Sequence, residues 1–235
     1  MKNGSQKLDP KFFLSKLGSL ISRAKGKPFI VNQPQDASEV LQYILSEIVK
    51  DCPESYKMIS SKIANSSTCN TCLSDDTTMV TSDSILVPLA DSLESCISSF
   101  LLKDAESQSE TRFCNFCNCE REFFLERYFS VLPDFLIINI DRNVTINKTT
   151  IKDDRRVCFP DNLTLYASCD NVISVRSQYV LKAVINHSGS TKSGHYTAHV
   201  KYSDNWFFCN DTLISKCKLS SSNLSTIAML FFQRT

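Results

Sequence analysis

The stretch QYVLKAVINHSGSTKSGHYTAHVKYSDNWFFCND, Gln178–Asp211, holds two long runs of alternating character around a Gly/Ser-rich turn, then a short aromatic run closed by an Asn-Asp pair. Period-two alternation over such lengths reads as half-buried strand. The same texture extends outward over most of the chain, in TTMVTS, SILVPLA, EREFFLERYFSVLP, DFLIINIDRN, RRVCFPDNLTLYAS and AMLFFQRT. Helical spacing appears only before Ser61. There Phe12, Phe13, Leu17, Leu20 and Ile21 form one stripe, expected to face a core, and Val40, Leu41, Ile44, Leu45 and Ile48 form a second. Helices first, then many strands with no regular helix between them, argue an α+β fold with antiparallel sheet. The polar run KDAESQSETR, Lys103–Arg112, is expected to be a solvent-exposed excursion.

A chain of 235 residues can bury a sizeable core, and one elaborated domain is expected. With 26 Lys and Arg against 25 Asp and Glu, no excess charge draws it to nucleic acid or an anionic membrane. No run approaches the roughly 18 apolar residues of a membrane span, and MKNGSQKLDPKFF lacks the apolar centre of a signal peptide. The expectation is a soluble intracellular chain, cytoplasmic or nuclear. Eleven cysteines would suggest disulfides in a secreted protein, but the number is odd and two Cys-x-x-Cys pairs stand out. Reduced thiols and a metal site are the better account.

The pairs are Cys69 and Cys72 in CNTC, and Cys114 and Cys117 in CNFC. Each can form a tight knuckle with both sulfurs aimed at one point, and two knuckles together make a tetrahedral four-thiolate site suited to Zn²⁺. Four thiolates leave no open coordination position, so the metal would be structural. A redox pair would need a βαβ setting, which is absent. Cys119 is expected to be a bystander.

In GHYTAHVKY, alternation puts Tyr196, Ala198, Val200 and Tyr202 on one face and His195, Thr197, His199 and Lys201 on the other. The first face is expected to pack inward, leaving His195 outward at the strand's start. His199 lies about 13 Å further along, at roughly 3.3 Å per residue, too far to share one small site. Taken alone, a histidine on a strand is ordinarily a surface or structural residue. Near the chain's start, Asp36 and Glu39 are spaced like a capping box, and capping alone would explain both acids.

Several blocks in order, QDASEVLQYIL, the two knuckles, FSVLPDFLIINIDRN, RRVCFPDNLTL, YVLKAVINHSGSTKSGHYTAHVK, WFFCND and AMLFFQRT, resemble the ubiquitin-specific protease family, papain-like cysteine deubiquitinases. The resemblance implies a hand-like fold, with residues 1–60 the remnant of a helical thumb, 61–130 zinc-stapled fingers and 131–235 an antiparallel palm. It implies that His195 is the general base, Asn210 the group orienting it, and Asp211 a supporting acid. An imidazole held by an amide is what a thiol nucleophile needs. By the same resemblance Asp36 and Glu39 line the channel for the Arg-bearing ubiquitin tail, and His187, Gly189 and Gly194 belong to the loop that gates it. Pro34 and Val40 depart from the usual Gln and Phe.

The family's Cys box precedes the QDASE block, yet none of the 34 residues before Gln35 is cysteine. Asn70-Thr71-Cys72 copies its letters, but no helical run follows it and its use would orphan the knuckles. Cys52 stands before Pro53 with no likeness to the box. The chain is therefore expected to bind ubiquitin and to lack its own nucleophile, as part of a working deubiquitinase whose Cys box comes from upstream sequence or a separate segment. The alternatives are a non-catalytic ubiquitin binder and a zinc-ribbon interaction module.

Overall fold

The computed structural model describes residues 10–26, 35–102, 109–169, 172–219 and 226–235. The chain divides into two compact units, Met1–Pro53 and Glu54–Thr235. Among the described residues, no helix is long and apolar enough to cross a membrane.

The first unit contains α1 (Pro10–Lys25) and α2 (Ala37–Asp51). Asp36 caps α2, its carboxylate accepting from the backbone N–H groups of Ser38 and Glu39 at 2.9 and 3.0 Å. The expected core stripe of α1 is corrected. Ile21 is buried, but Phe12 and Phe13 are 68% and 57% exposed. The covered positions lie in the carboxyl half of α1, where Arg23 pairs with Glu47 of α2 at 2.9 Å. The amino-terminal half carries its aromatic rings into solvent.

The second unit is built on β10 (Val172–Gly189), which pairs antiparallel with β9 (Asn162–Cys169), β11 (Gly194–Tyr202) and β14 (Ile227–Arg234). Beyond β11 follow β12 (Asn205–Asn210) and β13 (Leu213–Cys217). On the far side β9 meets β5 (Cys119–Val131), which pairs with β1 (Ser61–Cys69) and β4 (Ser109–Cys114), and β1 pairs with β2 (Asp75–Ser82). Through β14 the sheet reaches β6 (Phe135–Asp141) and then β3 (Ile85–Pro88).

Antiparallel pairing dominates, as the alternation implies, with two corrections. The β3–β6 pairing is parallel, as is the single pair Phe129↔Ala167 between β5 and β9. A parallel pair needs a long crossover, and the chain between β3 and β6 carries a helix the strand-only reading lacks, α4 (Leu93–Phe100). Ser92 caps α4 by accepting from the Ser95 N–H at 3.1 Å, while Leu93, Cys96 and Ile97 are buried. A short helix α3 (Ser55–Ile59) precedes β1, and β7 (Asn143–Ile146) and β8 (Thr149–Lys152) form a separate hairpin. RRVCFPD is irregular apart from a bridge between Cys158 and Ser92. Of the polar run Lys103–Arg112, residues 103–108 lie outside the described residues, and the remainder belongs to β4.

The core gathers Leu136, Ile138, Ile140, Leu181, Leu230 and Phe232 around Phe129 and Tyr179. The Tyr179 hydroxyl donates to the Pro133 carbonyl at 2.6 Å, which satisfies its one polar atom in that interior. Arg142 is also buried. Its Nε donates to the Ile227 carbonyl at 2.6 Å, and its Nη1 to Asp153 and Arg155 carbonyls at 2.9 and 2.8 Å, tying the hairpin to β14.

Candidate active site and metal centre

The β11–β12 register ends at Ala198↔Cys209, so Asn210 lies one step further, beside Thr197. His195 stands two residues beyond Thr197 on the same face, and its ring closes that diagonal. Nε2 meets Asn210 Oδ1 at 2.6 Å, at an exposed position. An amide oxygen only accepts, so Nε2 must carry the hydrogen, and the lone pair is left on Nδ1. The pair is thus an imidazole held in one tautomer and facing solvent. Among the described residues, Asn210 is the one hydrogen-bond partner of the His195 ring. No sulfur of the described cysteines bonds to it. Asp211 follows in the left-handed region, with φ of 50°, at the turn into β13.

His187 pairs with Tyr196 across β10 and β11, and the two rings lie 4.5 Å apart. Alternation therefore places His187 on the opposite face from His195. Gly194 stands against that ring, where an added Cβ would come within 2.8 Å of His187 Cε1 and would also collide with Nε2 and the Ser188 carbonyl. Gly189 pairs with Gly194 and has φ of +126°, a conformation that only glycine adopts readily. Lys152 of β8 braces this corner, its Nζ donating to the His187 carbonyl at 2.5 Å and pairing with Asp154 at 2.9 Å. No sequence pattern links Lys152 to His187, 35 positions away.

The expected inward face of β11 is corrected as well. Tyr202 is 75% exposed and Val200 39%, whereas His199, on the other face, is half-buried. His199 packs against Phe208 with ring centroids 5.0 Å apart, and its Nδ1 lies 3.3 Å from Asn186 Nδ2. Burial holds His199 below the usual histidine range.

The two knuckles converge. The sulfurs of Cys69, Cys72, Cys114 and Cys117 all lie within 4.8 Å of one another, with Cys69 to Cys117 at 3.9 Å and Cys72 to Cys114 at 3.6 Å. A tetrahedral ion with bonds of about 2.3 Å to sulfur needs sulfurs about 3.8 Å apart, so the donor set fits zinc. The electrostatics agree. The Cys117 backbone N–H, donating to Cys114 Sγ at 3.5 Å, heads the causes that lower the Cys114 thiol to about 6. Desolvation, then the neighbouring Cys72 and Cys114 sulfurs, push Cys117 up to about 12. Such a cluster resists a full set of thiolates until a cation neutralises them. Cys119 points elsewhere, donating to the Cys117 carbonyl at 3.4 Å.

In the first unit, Asp36 is occupied as the α2 cap and Glu39 accepts from the Tyr43 hydroxyl at 3.1 Å. Cys52 is exposed just past α2.

Comparison with known proteins gives a consistent result. The family model described as "Ubiquitin carboxyl-terminal hydrolase" matches residues 1–232. Ubiquitin carboxyl-terminal hydrolase 5 of Arabidopsis thaliana is 32% identical over 148 residues, covering 61% of this chain and 16% of the relative. Ubiquitin carboxyl-terminal hydrolase Usp2 of Drosophila melanogaster is 28% identical over 188 residues, covering 71% and 19%. The chain thus spans less than a fifth of the length of these relatives. A chain of the SAGA Ubp8/Sgf11/Sus1/Sgf73 DUB module bound to ubiquitin aldehyde has the same fold, with a TM-score of 0.80 at 22% identity over 96% of this chain and 54% of that one.

Proposed function

The chain belongs to the ubiquitin carboxyl-terminal hydrolase family, and from that premise we propose that it supplies the imidazole half of a cysteine-type deubiquitinase centre. The observation that carries this reading is the 2.6 Å bond from His195 to Asn210, which leaves Nδ1 as the base. A thiol beside Nδ1 would give its proton to the ring and attack the carbonyl of the isopeptide bond at the ubiquitin carboxyl terminus. The amine would leave with that proton, and water, deprotonated by the same nitrogen, would cleave the thioester. Asn210 holds the ring's plane and tautomer throughout.

The nucleophile in this proposal comes from a segment like the family's Cys box, which the sequence from Met1 to Thr235 does not contain. Cys69, Cys72, Cys114 and Cys117 would hold a structural zinc ion, which cross-links β1 to the end of β4 and leaves no position for chemistry. Residues 1–60, 61–130 and 131–235 would serve as thumb, fingers and palm. Asp36 and Glu39 would meet the Arg-bearing ubiquitin tail, and His187 with Gly194 would flank it, in an intracellular setting.

The test is hydrolysis of a fluorogenic ubiquitin carboxyl-terminal substrate. The chain alone should give none, and should not react with a ubiquitin-based thiol probe. With a Cys-box segment fused upstream it should turn over, and His195→Ala in that fusion should abolish turnover. A second reading, a non-catalytic ubiquitin binder, is favoured by the lack of any sulfur bonded to His195 among the described residues. It becomes the better account if the fusion binds ubiquitin yet stays inert.

A further inference from the structure

Four strands of the large sheet each pair with one neighbour and so have one side left open among the described residues: β13, β4, β3 and β2. Three are guarded in the way natural sheets guard their edges, with charge, proline or brevity. β13 carries Lys216, β4 carries Glu110 and Arg112, and β3 is four residues ending in Pro88. β2 differs. Its eight residues, DDTTMVTS, include no Lys, Arg, Pro or Gly, and nothing from Thr77 to Ser82 is charged.

The strand is exposed over all but its last residue, with Met79 51% and Val80 49% exposed. Thr77, Thr78, Val80 and Thr81 are β-branched, the residue type that fits a pleated surface. Its inner side is fixed by eight consecutive pairs with β1, from Ser61↔Ser82 to Thr68↔Asp75. The outer row of N–H and C=O groups therefore runs without a register shift and, among the described residues, pairs with no second strand.

What fits this edge follows from size and charge. A second copy pairing β2 with β2 would bury a strip about 27 Å long and 10 Å deep on each chain, roughly 500 Å² in all, well short of the approximately 1,200 Å² of a stable interface. A flexible extended segment needs no such area, because main-chain bonding carries strand addition. Both charges lie at the amino end. Asp75 is held there by Ser66, Thr77 and Thr68 hydroxyls at 2.6, 2.7 and 3.1 Å, which keep it anionic, and Asp76 follows it on the opposite face. In the favoured antiparallel sense, the partner's carboxyl end crosses these acids.

We propose that β2 is a docking edge that takes up, by antiparallel strand addition, an extended protein segment of β-branched residues with a basic carboxyl end. The site is separate from the His195 centre and does not depend on the proposed chemistry there.

The probe is a capped peptide, Thr-Val-Thr-Val-Thr-Val-Lys-Lys, titrated into ¹⁵N-labelled full chain at low salt. Amides of residues 75–82 should shift, with alternate ones becoming slow to exchange. N-methylating one alternate set of peptide amides should weaken binding about tenfold or more by removing the ladder, while methylating the other set changes it less than twofold. Exchanging the lysines for glutamates, or Asp76→Asn in the protein, should weaken binding several-fold, a gap that closes at high salt. The proposal is overturned if the peptide does not bind at millimolar concentration, if both methylated peptides bind alike, or if shifts map elsewhere. It is equally overturned if the chain alone sediments as a dimer with β2 amides already protected, since a second copy is then the occupant.

Discussion

Replacing Gly194 by alanine tests how the corner that launches β11 sets the position of His195. The new methyl would sit 2.8 Å from His187 Cε1 and closer still to Nε2 and the Ser188 carbonyl. The ring has little room to retreat. It lies 4.5 Å from Tyr196, its own backbone N–H donates to the Thr226 carbonyl at 2.9 Å, and Lys152 holds its carbonyl. Overpacking of this kind costs about 1 to 3 kcal/mol. In a protein of this size each kcal/mol is worth about 2 to 4 °C, so the melting temperature should fall by about 2 to 12 °C. Gly194 directly precedes His195, so the displacement also loosens the bond to Asn210. His187→Ala on the same background removes the ring but leaves the Ser188 carbonyl, giving partial rescue with a coupling of at least about 0.5 kcal/mol. Circular-dichroism melts of the four proteins, with the His195 ring followed by ¹⁵N NMR, measure both effects. A Gly194→Ala protein that melts within a degree of the parent, with its His195 signals unmoved, would refute the reasoning.

Three further outcomes are expected. Metal analysis of purified protein should find about one zinc per chain, and Cys69→Ser or Cys114→Ser should lose the ion together with the fold around β1 and β4. Arg142→Met should cost about 3 kcal/mol or more, read as a fall in the urea midpoint, because it leaves the Ile227, Asp153 and Arg155 carbonyls without their donor. His199, lowered by burial from 6.5, stays neutral where the unfolded chain's histidine begins to protonate. Its contribution is therefore complete above about 6.5 and is lost as pH falls through the lower folded value, a slope that His199→Phe should remove from urea midpoints measured between pH 7.5 and 5.

Strands β10, β11 and β12 were legible because their alternation is a local property of the chain. The knuckles were legible because Cys-x-x-Cys spacing fixes where two sulfurs can point. Elsewhere the local signal misleads. SKIANSSTC has too few apolar residues to stand among the expected strands, yet it is β1, with Ser61 and Ser66 buried in the sheet. In α4, Leu93, Cys96, Ile97 and Phe100 do stand at helical spacing behind a Ser92 cap, but the serines between them dilute the pattern. Alternation also divides β11 into two faces without saying which is covered, and so the inward assignment of Val200 and Tyr202 failed. Lys152 and Arg142 act on carbonyls far along the chain, and nothing in local sequence announces such contacts.

The His195–Asn210 pair lies between these cases. The identity of the two residues came from a resemblance, but their meeting is set by a turn. Tyr202↔Asn205 closes a two-residue connection through Ser203 and Asp204, with Ser203 at φ of 51°. That tight hairpin fixes every later pair, and it sets Asn210 on the face that bears His195 and one diagonal step from it. A slip of a single residue would turn Asn210 to the other face and leave the imidazole with no partner. Ser-Asp is a weaker hairpin signal than the Asn-Gly or Asp-Gly pairs that mark such turns, so the register could not be read from the turn alone. It is held from the other side, by β13 pairing Asn210↔Leu213 and by His199 packing on Phe208. The aromatic run after Asn205 is thus the element that keeps the His195 imidazole and the Asn210 amide in reach of each other.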